Sequence, residues 1–280
     1  MTEALIVLGL VTILAVAIFG YPVLVQARRN RLKRCPFPAQ WAATVEQILP
    51  IYAGLSKLEQ QRLQGHIQVF LAEKQFIGCG GLTVTPEMQV MIATVACLLL
   101  LNEQGQYFPK LRSILIYPDT YWVHETVTVG NGIVEERQVA RLGESWNADQ
   151  LVLSWAQVQY DLAHWTDGTN VILHEFAHQL DQADGRAEGV PILPPELDSK
   201  AWATVMTQGY QHLCQATERG RKTAMDPYGT TNPAEFFAVA TETFFEKPQA
   251  LQKEYPDLYA QLQQYYGLHP LEWRQNRKSV

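Results

Sequence analysis

Cysteine is scarce in this chain, and the four present (Cys35, Cys79, Cys97 and Cys214) lie far apart with no CxxC pair. That spacing excludes a small disulfide-stapled framework and suits isolated thiols in a reducing compartment. Charge is sparse too, at 18% of 280 residues, below what a disordered chain carries. With a net charge of -6 and no basic stripe interleaved with aromatics, a nucleic-acid surface is excluded. Internal repeats and low-complexity tracts are also missing. The glycine-rich "GCGG" at 78–81 lacks the Lys-Ser/Thr of a phosphate loop and has no plain strand before it, so it reads as a turn. What remains is a chain 47% hydrophobic, enough for one large core or two modest ones.

One apolar run is long. From Ala4 to Gln26 the chain reads "ALIVLGLVTILAVAIFGYPVLVQ" without a charge. At about 1.5 Å per residue it matches the roughly 30 Å core of a bilayer. Arg28, Arg29, Arg31, Lys33 and Arg34 follow at once, whereas only Glu3 is charged ahead of it. A cleaved export signal has the opposite polarity. The expectation is a single-pass N-terminal transmembrane helix over 1–27, a basic flank and linker over 28–40, and a domain over 41–280. The positive-inside rule places that domain in the cytoplasm.

Within the domain, helical period is expected over about 42–51, 56–73, 86–101, 171–183, 198–219, 233–246 and 249–266. The helix from Pro86 is apolar on most sides and too short for a membrane span, hence a buried core helix. "SILIYP", "YWVHETVTV", "GIVEERQVARL" and "QLVLSWAQVQYD" (150–161) read as strands, the middle two as a hairpin about "GNG" at 130–132. Strands followed by helices give an α+β fold.

The chemistry concentrates in "VILHEFAHQLDQADG" at 171–185, which contains HExxH. Residues four apart on a helix are about 40° apart in rotation, so His174 and His178 share a face and both imidazoles can meet one zinc ion. Glu175, about 100° further round, reaches a metal-held water rather than the metal, where a general base for hydrolysis belongs. Asp167, Thr169 or Asn170 can cap this helix, and Asp181 can accept a hydrogen bond from a ligand imidazole. The third histidine of the longer HExxHxxGxxH pattern is missing, since Asp181 and Asp184 stand at its glycine and histidine. A third ligand must come from elsewhere, and Glu188, Glu196, Glu218, Glu235, Glu242, Glu246, Glu254 and Glu272 all lie downstream. "YGTTNPAEFFAVATETFFE" (228–246) stands out: Asn232 caps, Pro233 opens the helix, and Glu235 and Glu242 lie near one face.

"HEFAHQLD" together with "YGTTNPAEFFAVATETFFE" resembles the Mlc titration factor A family of zinc peptidases, similar in its catalytic core to the anthrax lethal factor peptidase. The likeness extends through "GLTVTPEMQVMIATVACLLLLN", "ILIYP", "GESW" and "VLSW", roughly Phe37 to Trp273. The resemblance implies a zincin-like metallopeptidase domain. Its zinc ligands would be His174, His178 and Glu235, with Glu175 as general base and Tyr228 steadying the oxyanion. It further implies a peptide or protein substrate, aminopeptidase-like activity on small substrates, and a regulatory partner in the form of a transcriptional repressor. The amino-terminal anchor departs from the best-known members, which are soluble. Two functions follow as alternatives: a membrane-anchored zinc peptidase, or a regulatory binding module with structural zinc. A structural site has no use for an acid beside its first ligand and usually closes with Cys or His, so Glu175 favours the first. The strand at 150–161 offers an edge on which an extended peptide could pair.

Overall fold

The computed structural model describes residues 19–102, 107–119 and 149–276, together with the backbone of three strands between 121 and 147. Most of the expected anchor, and the "GNG" turn, therefore lie outside the described residues. Among the described residues no helix is long and apolar enough to cross a membrane.

Residues 19–33 are helical (α1). They are followed by α2 (Ala39–Ile48), α3 (Lys57–Glu73), strand β1 (Gln75–Gly78), α4 (Pro86–Leu98) and β2 (Ser113–Tyr117). Next come β3 (Tyr121–Val129), β4 (Ile133–Arg141), β5 (Gly143–Asn147) and β6 (Gln150–Ser154). The remainder is helical: α5 (Trp155–Ala163), α6 (Val171–Asp181), α7 (Ser199–Glu218), α8 (Pro233–Glu246), α9 (Pro248–Glu254), α10 (Pro256–Tyr266) and α11 (Pro270–Asn276). The fold is α+β, as expected.

Four strands form one sheet in the order β1-β2-β6-β5, with β1, β2 and β6 parallel and β5 antiparallel at the edge. β3 and β4 pair as a separate antiparallel ribbon, the expected hairpin partners. α4 is the buried core helix anticipated, with every residue from Ile92 to Leu98 buried. Ser56 and Glu59 form a capping box that starts α3.

Four expectations are corrected. Residues 150–161 are not one strand. The chain turns helical at Trp155, where the Ser154 hydroxyl accepts from the Gln157 N–H at 3.3 Å and caps α5. Short apolar runs fit either period, and here the cap decides. Nor does this strand offer an edge, because β6 lies between β2 and β5, and the two edge strands of the sheet are β1 and β5. The helix expected over 249–266 breaks at Tyr255, which is non-helical (φ -130°, ψ 64°), because Pro256 disfavours helical geometry in its predecessor. Finally, a strand does precede "GCGG": β1 ends on Gly78. The turn reading stands, since Gly80 and Gly81 take φ of 59° and 82°.

Candidate metal centre

The site is built on α6, fixed at its start by Asn170, whose side chain accepts from the Leu173 N–H at 3.1 Å. Behind it, Phe176 packs edge-on against Phe108 with ring centres 4.7 Å apart, and meets Phe70 at 5.6 Å. Burying one such ring contributes about 1.5–3 kcal/mol. This anchored back face leaves His174 and His178 directed towards α8. Asn232 caps α8 by accepting from the Glu235 N–H at 3.0 Å, with Pro233 at the first helical position, both as the sequence predicts.

His174, His178 and Glu235 converge, with one ligand atom from each within 4.8 Å of the others. The His174 Nε2 lies 2.9 Å from Glu235 Oε2 and 3.2 Å from His178 Nε2, which is 3.4 Å from the same oxygen. Bonds of about 2.0–2.1 Å in tetrahedral zinc put ligand atoms roughly 3.3 Å apart, so the triangle has the size that a zinc ion requires. The donor chemistry fits as well. His174 Nδ1 lies 2.7 Å from Glu242 Oε1, and a carboxylate only accepts, so Nδ1 carries the proton. Nε2 faces a second acceptor, Glu235, so the cluster calls for positive charge at that point, which either a proton on Nε2 or a metal ion between the three groups would supply.

Charge shows the same demand. Burial pulls the His174 pKa down, but Glu242 and Glu235 outweigh it and hold it well above the ordinary value. Burial pushes Glu235 up, yet hydrogen bonds and charge from His174 and His178 bring it to about 2.

The imidazole's support differs from expectation. Asp181 does not accept from a ligand histidine. Its oxygens take the N–H groups of Gly189 at 2.9 Å and Val190 at 2.7 Å, tying down the loop after α6. Glu242 orients His174 instead, and stands outside the three residues that could hold a metal ion. One turn on, Glu246 accepts from the Gly168 N–H at 3.0 Å and Asn170 Nδ2 at 3.2 Å. Asp161 of α5 accepts from the Val171 N–H at 2.7 Å. Burial is the main reason both stand high, Asp161 at about 7 and Glu246 at about 9. Sequence reasoning missed this bracing of the α6 start, although Glu235, Glu242 and Glu246, seven and four residues apart, carried the signal of a shared face. Glu242→Ala is expected to weaken zinc binding about 10–100-fold while the helices persist. Metal-buffer titration checks this; unchanged affinity would show that His174 needs no such partner.

Glu175 is buried on α6. Tyr228 sits in a 3-10 turn (Pro227–Thr230), its ring centre 6.0 Å from that of His174, and the residue is 51% exposed. The turn is held by Asp226, which accepts from the Tyr228 N–H at 2.8 Å, and by Tyr210, whose hydroxyl donates to the Thr230 carbonyl at 2.9 Å. Gly229 is buried beneath it, where a Cβ would come within 3.0 Å of Leu213. The remaining downstream glutamates do not join the metal cluster.

Comparison with known proteins agrees with this geometry. The profile of the family described as "Glucose-regulated metallo-peptidase M90" matches residues 24–267. The chain belongs to this metallopeptidase family. The M90 protein is 44% identical to the uncharacterized protein slr2042 of Synechocystis sp., over 97% of this chain and 99% of the relative. It is 34% identical to Mlc titration factor A of Pectobacterium atrosepticum, over 84% and 90% of the two chains. Against Mlc titration factor A of Yersinia pestis the figures are 32%, 83% and 86%. The expected family is thereby shown.

Proposed function

We propose that this M90 protein is a zinc-dependent peptidase. The observation that carries the reading is the triangle of ligand atoms from His174, His178 and Glu235, sized for zinc and closed by no fourth protein ligand among the described residues. In this reading those three hold the ion. Zinc, when bound, lowers the pKa of a water towards about 7 and polarises a carbonyl. Glu175 takes the proton of the attacking water and returns it to the leaving amine. The Tyr228 hydroxyl donates to the oxygen that gains charge. The free edge of β5 lies against α6 and suits an extended peptide, taking the role first given to 150–161. Purified protein should cleave peptides, stop when a chelator removes the metal, and lose zinc on Glu235→Ala. Chelator-resistant cleavage would end the proposal.

A second reading is favoured by the relatives' name. Two of them are called Mlc titration factor A. A regulatory role, with a protein partner rather than a substrate, would retain its cellular effect in a protein without turnover.

The proposed location is the membrane, with the peptidase domain facing the cytoplasm. The uncharged run from Ala4 and the cations behind it support this, and the alignment with slr2042, covering 97% of the chain, runs into that stretch. A reporter fused after Val280 that is active only outside the cytoplasm should stay silent. Activity there would reverse the orientation.

A further inference from the structure

The start of α1 exposes four large apolar side chains to solvent: Phe19 (77%), Tyr21 (69%), Val23 (67%) and Leu24 (70%). An apolar collar of this kind, directly after an uncharged sequence, is covered by something apolar. Further along, the cations divide between two faces. Arg29 is consumed by the domain: its Nε and Nη2 donate to the two oxygens of Glu73 at 2.8 Å each, and its guanidinium lies 4.7 Å from the Tyr107 ring centre. Lys33 turns the same way, 5.9 Å from that ring, and crosses α3 at Gly65, where a Cβ would stand 3.2 Å from Lys33 Cγ. The chain after Arg34 is fastened too, since Gln68 donates to the Cys35 and Pro36 carbonyls at 3.2 Å. α1 is thus clamped along α3, and its other face is held in a fixed direction.

That other face carries Arg31 and Arg34, both exposed and without a carboxylate partner among the described residues. They flank a surface notch completed by Ala27, Asn30, Cys35 and Pro36. Guanidinium groups three residues apart across the last turn of α1, where the Arg34 N–H donates to the Arg31 carbonyl at 3.2 Å, form neighbouring forks suited to phosphate oxygens. The collar lies about two turns before them, the depth at which a headgroup layer meets hydrocarbon.

We propose that the Arg31–Arg34 notch binds the headgroup of an anionic phospholipid, with Phe19 to Leu24 in the adjoining acyl layer. The notch would then set which face of the peptidase domain lies against the bilayer. The proposal rests on the membrane reading above, and goes beyond it in naming the lipid class and the residues.

The test uses the full chain purified in detergent and titrated with phosphatidylglycerol or phosphatidylcholine, with bound lipid counted by native mass spectrometry. Each arginine near an anionic surface contributes about fivefold, so Arg31→Gln with Arg34→Gln should weaken phosphatidylglycerol binding roughly 30-fold. Arg219→Gln with Arg221→Gln, an equal charge change at exposed positions elsewhere, should leave it unchanged. Equal retention of both lipids by the wild type, or equal losses in both double variants, would overturn the notch. Alkaline carbonate extraction of cell membranes tests the anchor separately. Release of the chain there would defeat the membrane span without touching the lipid titration, and retention alongside failed titration would defeat the notch alone.

Discussion

Glu175→Gln is expected to retain zinc and fold while reducing peptide turnover by about 10²–10⁴. The side chain is buried on α6, one residue from a ligand, and the amide keeps its volume and one acceptor oxygen. What the amide loses is the capacity to take a proton from water and carry it to the leaving nitrogen. The ligand triangle does not include Glu175, so metal content should match the wild type in elemental analysis. KM should move little, because proton transfer occurs after the peptide is seated. A variant with full zinc and unaltered kcat would remove Glu175 from the reaction. Loss of zinc together with activity would place Glu175 among the groups that hold the metal. The variant also separates the two readings of function. If it keeps partner binding and cellular effect with no turnover, the regulatory role is the physiological one.

The metal cluster was legible because helical period converts sequence spacing into a face. His174 and His178 are four apart, and Asn232-Pro233 announces the helix that carries Glu235 and Glu242 on one face; the choice of Glu235 between them came from the family resemblance, not from spacing. The support around the cluster was less legible, because it depends on which helix lies behind which ring. Asp181 is near His178 in sequence, but the loop at Gly189 and Val190 claims both of its oxygens. Glu242, distant in sequence by 68 positions from His174, is the one that reaches its Nδ1. Only the packing of α6 on α8 reveals that choice. The sheet shows the same limit. Four of the six strands were readable by composition, yet the placement of β6 between β2 and β5 is a non-local pairing, so the assignment of a free edge to 150–161 failed. β1 escaped notice because four residues, joined to α3 through Lys74 alone, leave no room for a period to show.

Tyr228→Phe is expected to lower kcat about 10²–10³-fold, the cost of losing one donor to a developing oxyanion. The position is well prepared for that role. Asn232 and Pro233 start α8 directly after the turn that carries Tyr228, so the residue that presents the hydroxyl and the one that presents Glu235 move as a unit. Gly229 lies buried against Leu213 and Val239, which seats the turn on the core and leaves the neighbouring tyrosine half exposed beside His174. A tyrosine serving only to pack would be buried more deeply and would surrender stability when its hydroxyl is removed. Here the ring and its volume persist in phenylalanine, so Tm and zinc content should stay near wild type. The loss should appear in kcat with KM nearly unchanged, because the donor acts on charge that the substrate carbonyl does not yet bear. An equal fall in Tm would assign the hydroxyl a structural duty. Unchanged kcat on a peptide that the wild type cleaves would show that the oxyanion is stabilised without Tyr228.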